Sequence, residues 1–192
     1  MTYPEYTTDY VSINERLWKA MLWSLTGAAA VRMLEIGSFE GRSAVWFLDN
    51  VLTGNRSHLT CVDIFPDEGR NGRFDRNTAP YGDRVKKIVG RSAVVLHGML
   101  TSDPRPAFDA VYVDGSHRAA DVLLDAVLVW GLLKSGGTLI LDDYMWGPEL
   151  PVDERPELGI DALMSVLPEC RIVHVANQVI LQKILDRVWK YK

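Results

Sequence analysis

Val31-Arg32-Met33-Leu34-Glu35-Ile36-Gly37-Ser38-Phe39-Glu40-Gly41-Arg42-Ser43 is the stretch that decides the fold. Its first six residues form a short, mostly apolar run of strand length, which stops at Gly37. Gly41 then leads into a helical stretch, Ser43–Leu52. A strand that turns through two glycines into a helix is the start of a β-α unit. Gly37 lets the backbone turn and approach a ligand closely, and Gly41 lets the helix sit tight on the strand. Many strand-to-helix turns contain two glycines, so the pair alone leaves a purely structural turn open.

The same alternation continues downstream. Leu59–Ile64 is a second strand with Asp63 near its end, followed by a polar stretch, Pro66–Gly82. Val85–Val89 is a third strand, closed by Gly90-Arg91-Ser92, and Phe108–Val113 is a fourth, running into Asp114. Arg118–Leu133 has helical length, with Val122, Leu123, Ala126, Val127 and Trp130 on one face. Gly136-Gly137 turns the chain into a fifth strand, Thr138–Leu141, which ends on Asp142-Asp143. Ile160–Leu167 is a helix closed by Pro168, and Arg171–Val175 and Val179–Lys183 are strands joined by a tight turn. Upstream, Ile13, Leu17, Met21 and Leu25 lie four apart, which predicts an amphipathic helix over about 12–26.

Strands alternating with helices imply right-handed crossovers and parallel pairing, and continuous apolar strands suit a sheet covered on both faces. The last two strands are too close for a crossover. The predicted fold is therefore α/β: one domain over 1–192, with a doubly wound, mostly parallel seven-stranded sheet ending in an antiparallel hairpin.

Composition narrows the function classes. A net charge of −4 with scattered basic residues argues against nucleic acid as the main partner. No apolar run approaches the ~20 residues of a membrane span, and the first ten residues have neither a basic region nor an apolar one. A cytoplasmic location and no membrane partner are the resulting expectations. Cys61 and Cys170 sit in apolar runs and read as small buried residues. Exposed faces of the N-terminal helix leave a homo-oligomer open.

Ligands of open α/β sheets bind at the carboxyl ends of the strands, and the unusual residues of this chain stand there. The first turn reads E-x-G-x-x-x-G and lacks the third glycine of the dinucleotide fingerprint, which weighs against a nicotinamide-dependent oxidoreductase. Glu35 would repel a pyrophosphate but tolerate a cationic nucleoside. Asp63, twenty-two residues after Gly41, is placed to accept ribose hydroxyls, and Ser92 to read the edge of an adenine. A structural strand-end Asp is the alternative at position 63. Asp114-Gly115-Ser116-His117 and Asp142-Asp143 end strands expected to be neighbours. Three carboxylates gathered there would repel one another unless a hard cation such as Mg²⁺ joined them. His117, three residues past Asp114, is suited to take a hydroxyl proton near neutral pH. Asp142-Asp143 as a loop cap, Asp114 as a cofactor contact, and His117 as a structural hydrogen-bonding histidine remain open on spacing alone.

LEIGSFEGRS, CVDIF, FDAVYVDGSH and LILDDY, in this order and followed by a hairpin, resemble a class I S-adenosylmethionine-dependent methyltransferase with its Rossmann-like fold. Within that superfamily the chain is similar to the small-molecule O-methyltransferases of the macrocin and mycinamicin group and to cephalosporin-hydroxylase-like proteins. The resemblance covers Val31 to Lys183. It implies S-adenosylmethionine held by Glu35, Gly37, Ser38, Gly41, Asp63, Ser92 and Asp114. It also implies Mg²⁺ on Asp114 and Asp143, with Asp142 a ligand or close neighbour, His117 as general base, and a small-molecule hydroxyl as acceptor. A protein that binds S-adenosylmethionine without catalysis would have no evident need of Asp114, His117 and Asp143 together. Tyr144–Pro148 and the 66–82 stretch are candidate walls of an acceptor pocket, the latter as a lid.

Overall fold

The computed structural model describes residues 4–167 and 170–184. Its strands are β1 (Arg32–Ile36), β2 (His58–Asp63), β3 (Val85–Val89), β4 (Phe108–Val113), β5 (Leu133–Leu141), β6 (Cys170–Val175) and β7 (Val179–Lys183). They form one seven-stranded sheet in the order β3-β2-β1-β4-β5-β7-β6. β1 pairs parallel with β2, β2 with β3, and β4 with β5, while β7 runs antiparallel to both β5 and β6. The expected terminal hairpin is present, and β7 is its reversed strand. Pro168, expected to close the last helix, lies outside the described residues. Among those residues no helix is long and apolar enough to cross a membrane.

The chain divides into two compact units, Met1–Val95 and Leu96–Lys192. In the first, α1 (Glu15–Met21) is shorter than predicted and passes into a 3₁₀ turn at Trp23–Leu25. The buried stripe is Val11, Trp18 and Leu22, and Ile13 is 87% exposed. The heavier ring decides this: Trp18 packs on Trp46 and Phe47 of α2 (Arg42–Asn50) with ring centroids 5.1 and 4.7 Å apart. An aromatic cluster buries more apolar area than the aliphatic row one position away. The polar stretch 66–82 contains a helix, α3 (Glu68–Thr78), and is not an open loop. Asp67 caps it by accepting from the Arg70 N–H at 2.8 Å, and Glu68 lies in the first turn, where the helix dipole favours a negative charge. Phe74, Asn77 and Thr78 form its buried face.

α4 (Ser92–Thr101) follows β3 as a helix that the sequence reading left unassigned. In the second unit β5 starts earlier than expected and runs through Gly136-Gly137, with Gly136 at φ +80° and a register shift against β4. α5 (Ala119–Leu132) buries Ala119, Val122, Ala126 and Val129, spaced three and four apart, while Val127 is half exposed. Of the predicted face, Val122 and Ala126 are buried and Val127 is not; α6 (Pro156–Val166) packs on α5 and meets it at Ala119 and Leu123. The approach is close at Gly159, where a Cβ would lie 2.3 Å from the Ala119 carbonyl oxygen. Alanine's helix propensity favours Gly159→Ala by about 1 kcal/mol. The backbone clash outweighs it, and we expect a net loss of about 1–3 kcal/mol. A lower urea midpoint at unchanged m-value would show this. Lys183, nearly buried, donates to the Trp130 and Leu133 carbonyls at 3.1 and 2.8 Å, closing the end of α5 from β7.

Candidate active site

In the first unit the glycine turn is closed on itself. Gly37 N–H donates to Val62 O at 2.9 Å and Gly41 N–H to Ser38 O at 2.7 Å. Asp63 Oδ2 accepts from Ser38 N–H at 2.8 Å and Phe39 N–H at 2.9 Å, and Oδ1 accepts from Phe65 N–H at 2.7 Å. Asp63 therefore clamps the turn as well as standing where a ribose was expected. One lone-pair direction on Oδ1 remains for a ligand hydroxyl. Phe39 and Phe65, the residues it holds, are at φ +46° and +42°. Non-glycine residues pay for that conformation with strain, which persists only when the surroundings fix it. Gly37 and Gly41 are at φ +82° and +80°, and a Cβ on Gly41 would press on Phe74 at 3.1 Å.

These bonds bear on the choice of cofactor. A pyrophosphate needs a row of free N–H groups at the start of a helix. Here the Gly37, Ser38, Phe39 and Gly41 N–H groups are all bound within the protein. The turn fits a nucleoside without phosphate better than a dinucleotide. Glu35 is fully buried below it and accepts from the Ser43 hydroxyl at 2.5 Å. Burial pushes its carboxyl up from the usual range, with Ser38, Ser43 and Cys61 pulling the other way. Ser92 opens α4, and Gly90 N–H is held by the Asp63 carbonyl at 2.9 Å.

In the second unit Asp114, His117 and Asp143 come together, their ligand atoms all within 4.8 Å of one another. His117 Nε2 lies 2.9 Å from Asp143 Oδ2 and 4.0 Å from Asp114 Oδ1. The hydrogen bond to Asp143 raises the His117 pKa above its ordinary value, against burial, which lowers it; the charges of Asp143 and Asp142 add to the rise. Asp143 is, after Phe39 and Phe65, the third non-glycine residue with positive φ among the described residues, at +58°. Two carboxylates and an imidazole suit a divalent ion that takes oxygen and nitrogen ligands, such as Mg²⁺ or Mn²⁺.

Asp142 makes different bonds. Its Oδ2 accepts the Tyr112 hydroxyl in a short hydrogen bond, and its Oδ1 accepts the Asp143 N–H at 2.8 Å. The third member of the trio is therefore His117, and Asp142 is its neighbour. Tyr112 Oη also lies 3.0 Å from Asp114 Oδ2. A phenol has one proton, so it donates to one of these carboxylates at a time. Burial, then the two negative charges, pushes Tyr112 far up; burial also raises Asp142, with Tyr112 holding it back. Sequence reasoning missed Tyr112, although a signal existed. It stands two residues before Asp114 on a strand, and such residues share a face.

Beside the trio a cleft of about 240 Å³ is lined by His117, Arg118, Trp146, Leu150 and Glu154. The Trp146 ring packs on His117 with centroids 4.6 Å apart. Trp146 N–H is held by Asp143 O at 2.9 Å, and Leu150 N–H by Gly147 O at 2.9 Å. Of the Tyr144–Pro148 stretch, Trp146 lines this cleft, with Leu150 beyond it. The 66–82 stretch instead packs as α3 on the glycine turn.

A family model described as a methyltransferase domain matches residues 34–144. A caffeoyl-CoA O-methyltransferase of Populus kitakamiensis is 24% identical over 148 residues, covering 71% of this chain and 55% of that protein. An O-methyltransferase from Bacillus cereus, solved in complex with SAH, superposes with a TM-score of 0.72 at 16% identity, covering 93% of this chain and 84% of that one. The MycE methyltransferase of the mycinamycin biosynthetic pathway, solved with Mg, SAH and mycinamycin VI, gives a TM-score of 0.68 at 17% identity. There the coverage is 96% of this chain and 53% of that one. The chain spans about half the length of the curated relatives it matches.

Proposed function

The chain belongs to the methyltransferase-domain family that matches residues 34–144, and from that membership we propose that it transfers a methyl group from S-adenosylmethionine to a hydroxyl of a small-molecule acceptor, with a divalent metal ion assisting. The observation that carries the O-methylation reading is the convergence of Asp114, His117 and Asp143 beside a cleft walled by Trp146 and Leu150. The names of two similar proteins support it: one is an O-methyltransferase in complex with SAH, and the other was solved with both Mg and SAH.

Each group has a physical role in this proposal. S-adenosylmethionine supplies a methyl group on a positively charged sulfur. Gly37, Ser38, Gly41 and Asp63 would hold the nucleoside, with Ser92 beside the base; Glu35, fully buried, supports the turn from beneath through the Ser43 hydroxyl. Asp114 and Asp143 would hold a divalent ion, which would supply Lewis-acid activation of the acceptor hydroxyl. Asp142 and Tyr112 fix the position of Asp114 through the shared phenol. His117 would take the acceptor's proton once its Nε2 is freed from Asp143, and Trp146 packs on the imidazole to restrict its rotation. In-line displacement depends chiefly on placement, so a rigid set of side chains is what the reaction requires.

Calorimetric titration with S-adenosylhomocysteine, in Mg²⁺ and again in EDTA, tests the proposal. We expect micromolar binding in both, with further heat from Mg²⁺ added to the metal-free protein. Absence of nucleoside binding under both conditions would overturn the methyltransferase reading. Binding of the nucleoside without any Mg²⁺ or Mn²⁺ signal would remove the metal from it.

A further inference from the structure

We infer that Glu40 is a positioning residue for cofactor binding: it straps the segment Glu5–Thr7 onto the glycine turn and locks that turn against α3. The inference rests on the reading of this turn as the S-adenosylmethionine site.

Glu40 lies between Gly37 and Gly41, at the point where the turn enters α2. It is a fully buried carboxylate with every visible partner in place. Oε2 accepts the Thr7 N–H at 2.7 Å, and Oε1 accepts the Thr7 hydroxyl at 2.8 Å and the Arg73 Nε–H at 2.6 Å. Burying a charge is costly unless it is paired and hydrogen-bonded, so so complete a shell on a turn residue needs a reason. A solvent-facing Glu would satisfy an ordinary surface turn.

Three further sets of contacts converge on the same place. The Asn77 amide accepts the Glu5 N–H and donates to the Glu5 and Glu40 carbonyls, each at 2.9 Å. Arg42, on the other side of Gly41, reaches Asp9 at 3.6 Å, Glu15 at 3.8 Å and the Ser12 hydroxyl at 3.3 Å, and stacks over Tyr6. From α3, Arg70 lies over the Phe39 ring and Phe74 against Gly41. Arg70, Arg73, Phe74 and Asn77 are three, four and seven apart and form one helix face directed at the turn. Lys87 secures the other side of α3 through Asp75 and Asn71. The residues on both sides of Gly41 thus grip the N-terminal segment, and Asp63 holds the turn from β2.

Such bracing suits a ligand-binding turn whose strained residue, Phe39, must keep its conformation before the cofactor arrives. Pre-ordering a binding loop raises affinity because less conformational freedom is lost on binding. Releasing the strap should therefore weaken nucleoside binding more than it weakens the fold.

The test is calorimetric titration of S-adenosylhomocysteine into the wild-type protein, Glu40→Gln, Glu40→Asp and Thr7→Pro. Thr7 is exposed, so proline there removes both of its donors to Glu40, the N–H and the hydroxyl, without entering the core. Glu40→Gln turns its amide N–H₂ toward a donor in either orientation, the Thr7 N–H or the Arg73 Nε–H. We expect affinity to fall about tenfold in Glu40→Gln and at least threefold in Thr7→Pro. Glu40→Asp should recover part of the loss, and Mn²⁺ affinity at Asp114 and Asp143 should stay unchanged in all three. Affinities within twofold of wild type in both Glu40→Gln and Thr7→Pro would overturn the inference while leaving the methyltransferase reading intact. A wild-type protein that binds no S-adenosylhomocysteine would overturn both.

Discussion

Asp63→Ala is expected to weaken S-adenosylhomocysteine binding by at least a hundredfold, a larger loss than removal of any other single side chain in the first unit would cause. The carboxylate accepts three backbone N–H groups, from Ser38, Phe39 and Phe65. Alanine leaves all three without an acceptor, and each buried, unsatisfied donor costs about 1–3 kcal/mol unless water reaches it. Part of this appears as lost stability, because Phe39 and Phe65 are no longer held in their positive-φ conformations. The rest appears as lost affinity, through the relaxed turn and the missing acceptor for a ribose hydroxyl. A hundredfold corresponds to about 2.7 kcal/mol, within reach of two such bonds. Asp63→Asn retains one oxygen but presents an amide N–H₂ to backbone donors, so it should lose most of the same affinity. Calorimetry with a parallel urea melt separates the two parts. Wild-type affinity in a folded Asp63→Ala protein would exclude Asp63 from the nucleoside site.

Asp63 also illustrates how much of the site could be read from the sequence. Its position at the end of the second strand was legible, because strand ends and glycine turns leave strong local signals. Its grip on the Ser38 and Phe39 amides was not legible, since that depends on the register of β2 beside β1. The same division holds elsewhere. The parallel strands and terminal hairpin follow from apolar runs and spacing. α3 did not, because EGRNGRFDRNT is polar and carries two glycines; its helix is held from outside by Glu40, Gly41 and Lys87. The buried face of α5 was misassigned by choosing Val127 and Trp130, where Gly159 admits α6 against Ala119. Of the acidic pair, sequence alone treated Asp142 and Asp143 alike. What separates them is Tyr112, which draws Asp142 away and leaves Asp143 facing His117.

His117→Ala is expected to lower turnover by about 10²–10⁴-fold while leaving S-adenosylhomocysteine affinity unchanged, the range for loss of a positioned general base. The bond to Asp143 raises the imidazole above its usual 6.5. Two consequences have opposite signs. A base must be neutral to accept a proton, so wild-type turnover should rise with pH through this raised value, and the inflection should fall in Asp143→Asn where activity remains. Stability goes the other way: the contribution of the pair is complete below about 6.5, the unfolded value, and is lost as pH rises through the folded one. His117→Ala should abolish that stability slope together with the rate inflection. Mg²⁺ or Mn²⁺ affinity then distinguishes the two roles the geometry permits for Nε2. An unchanged metal affinity with collapsed turnover assigns His117 as the base. A tenfold or greater fall in metal affinity would make it a ligand and leave the acceptor's proton to another group.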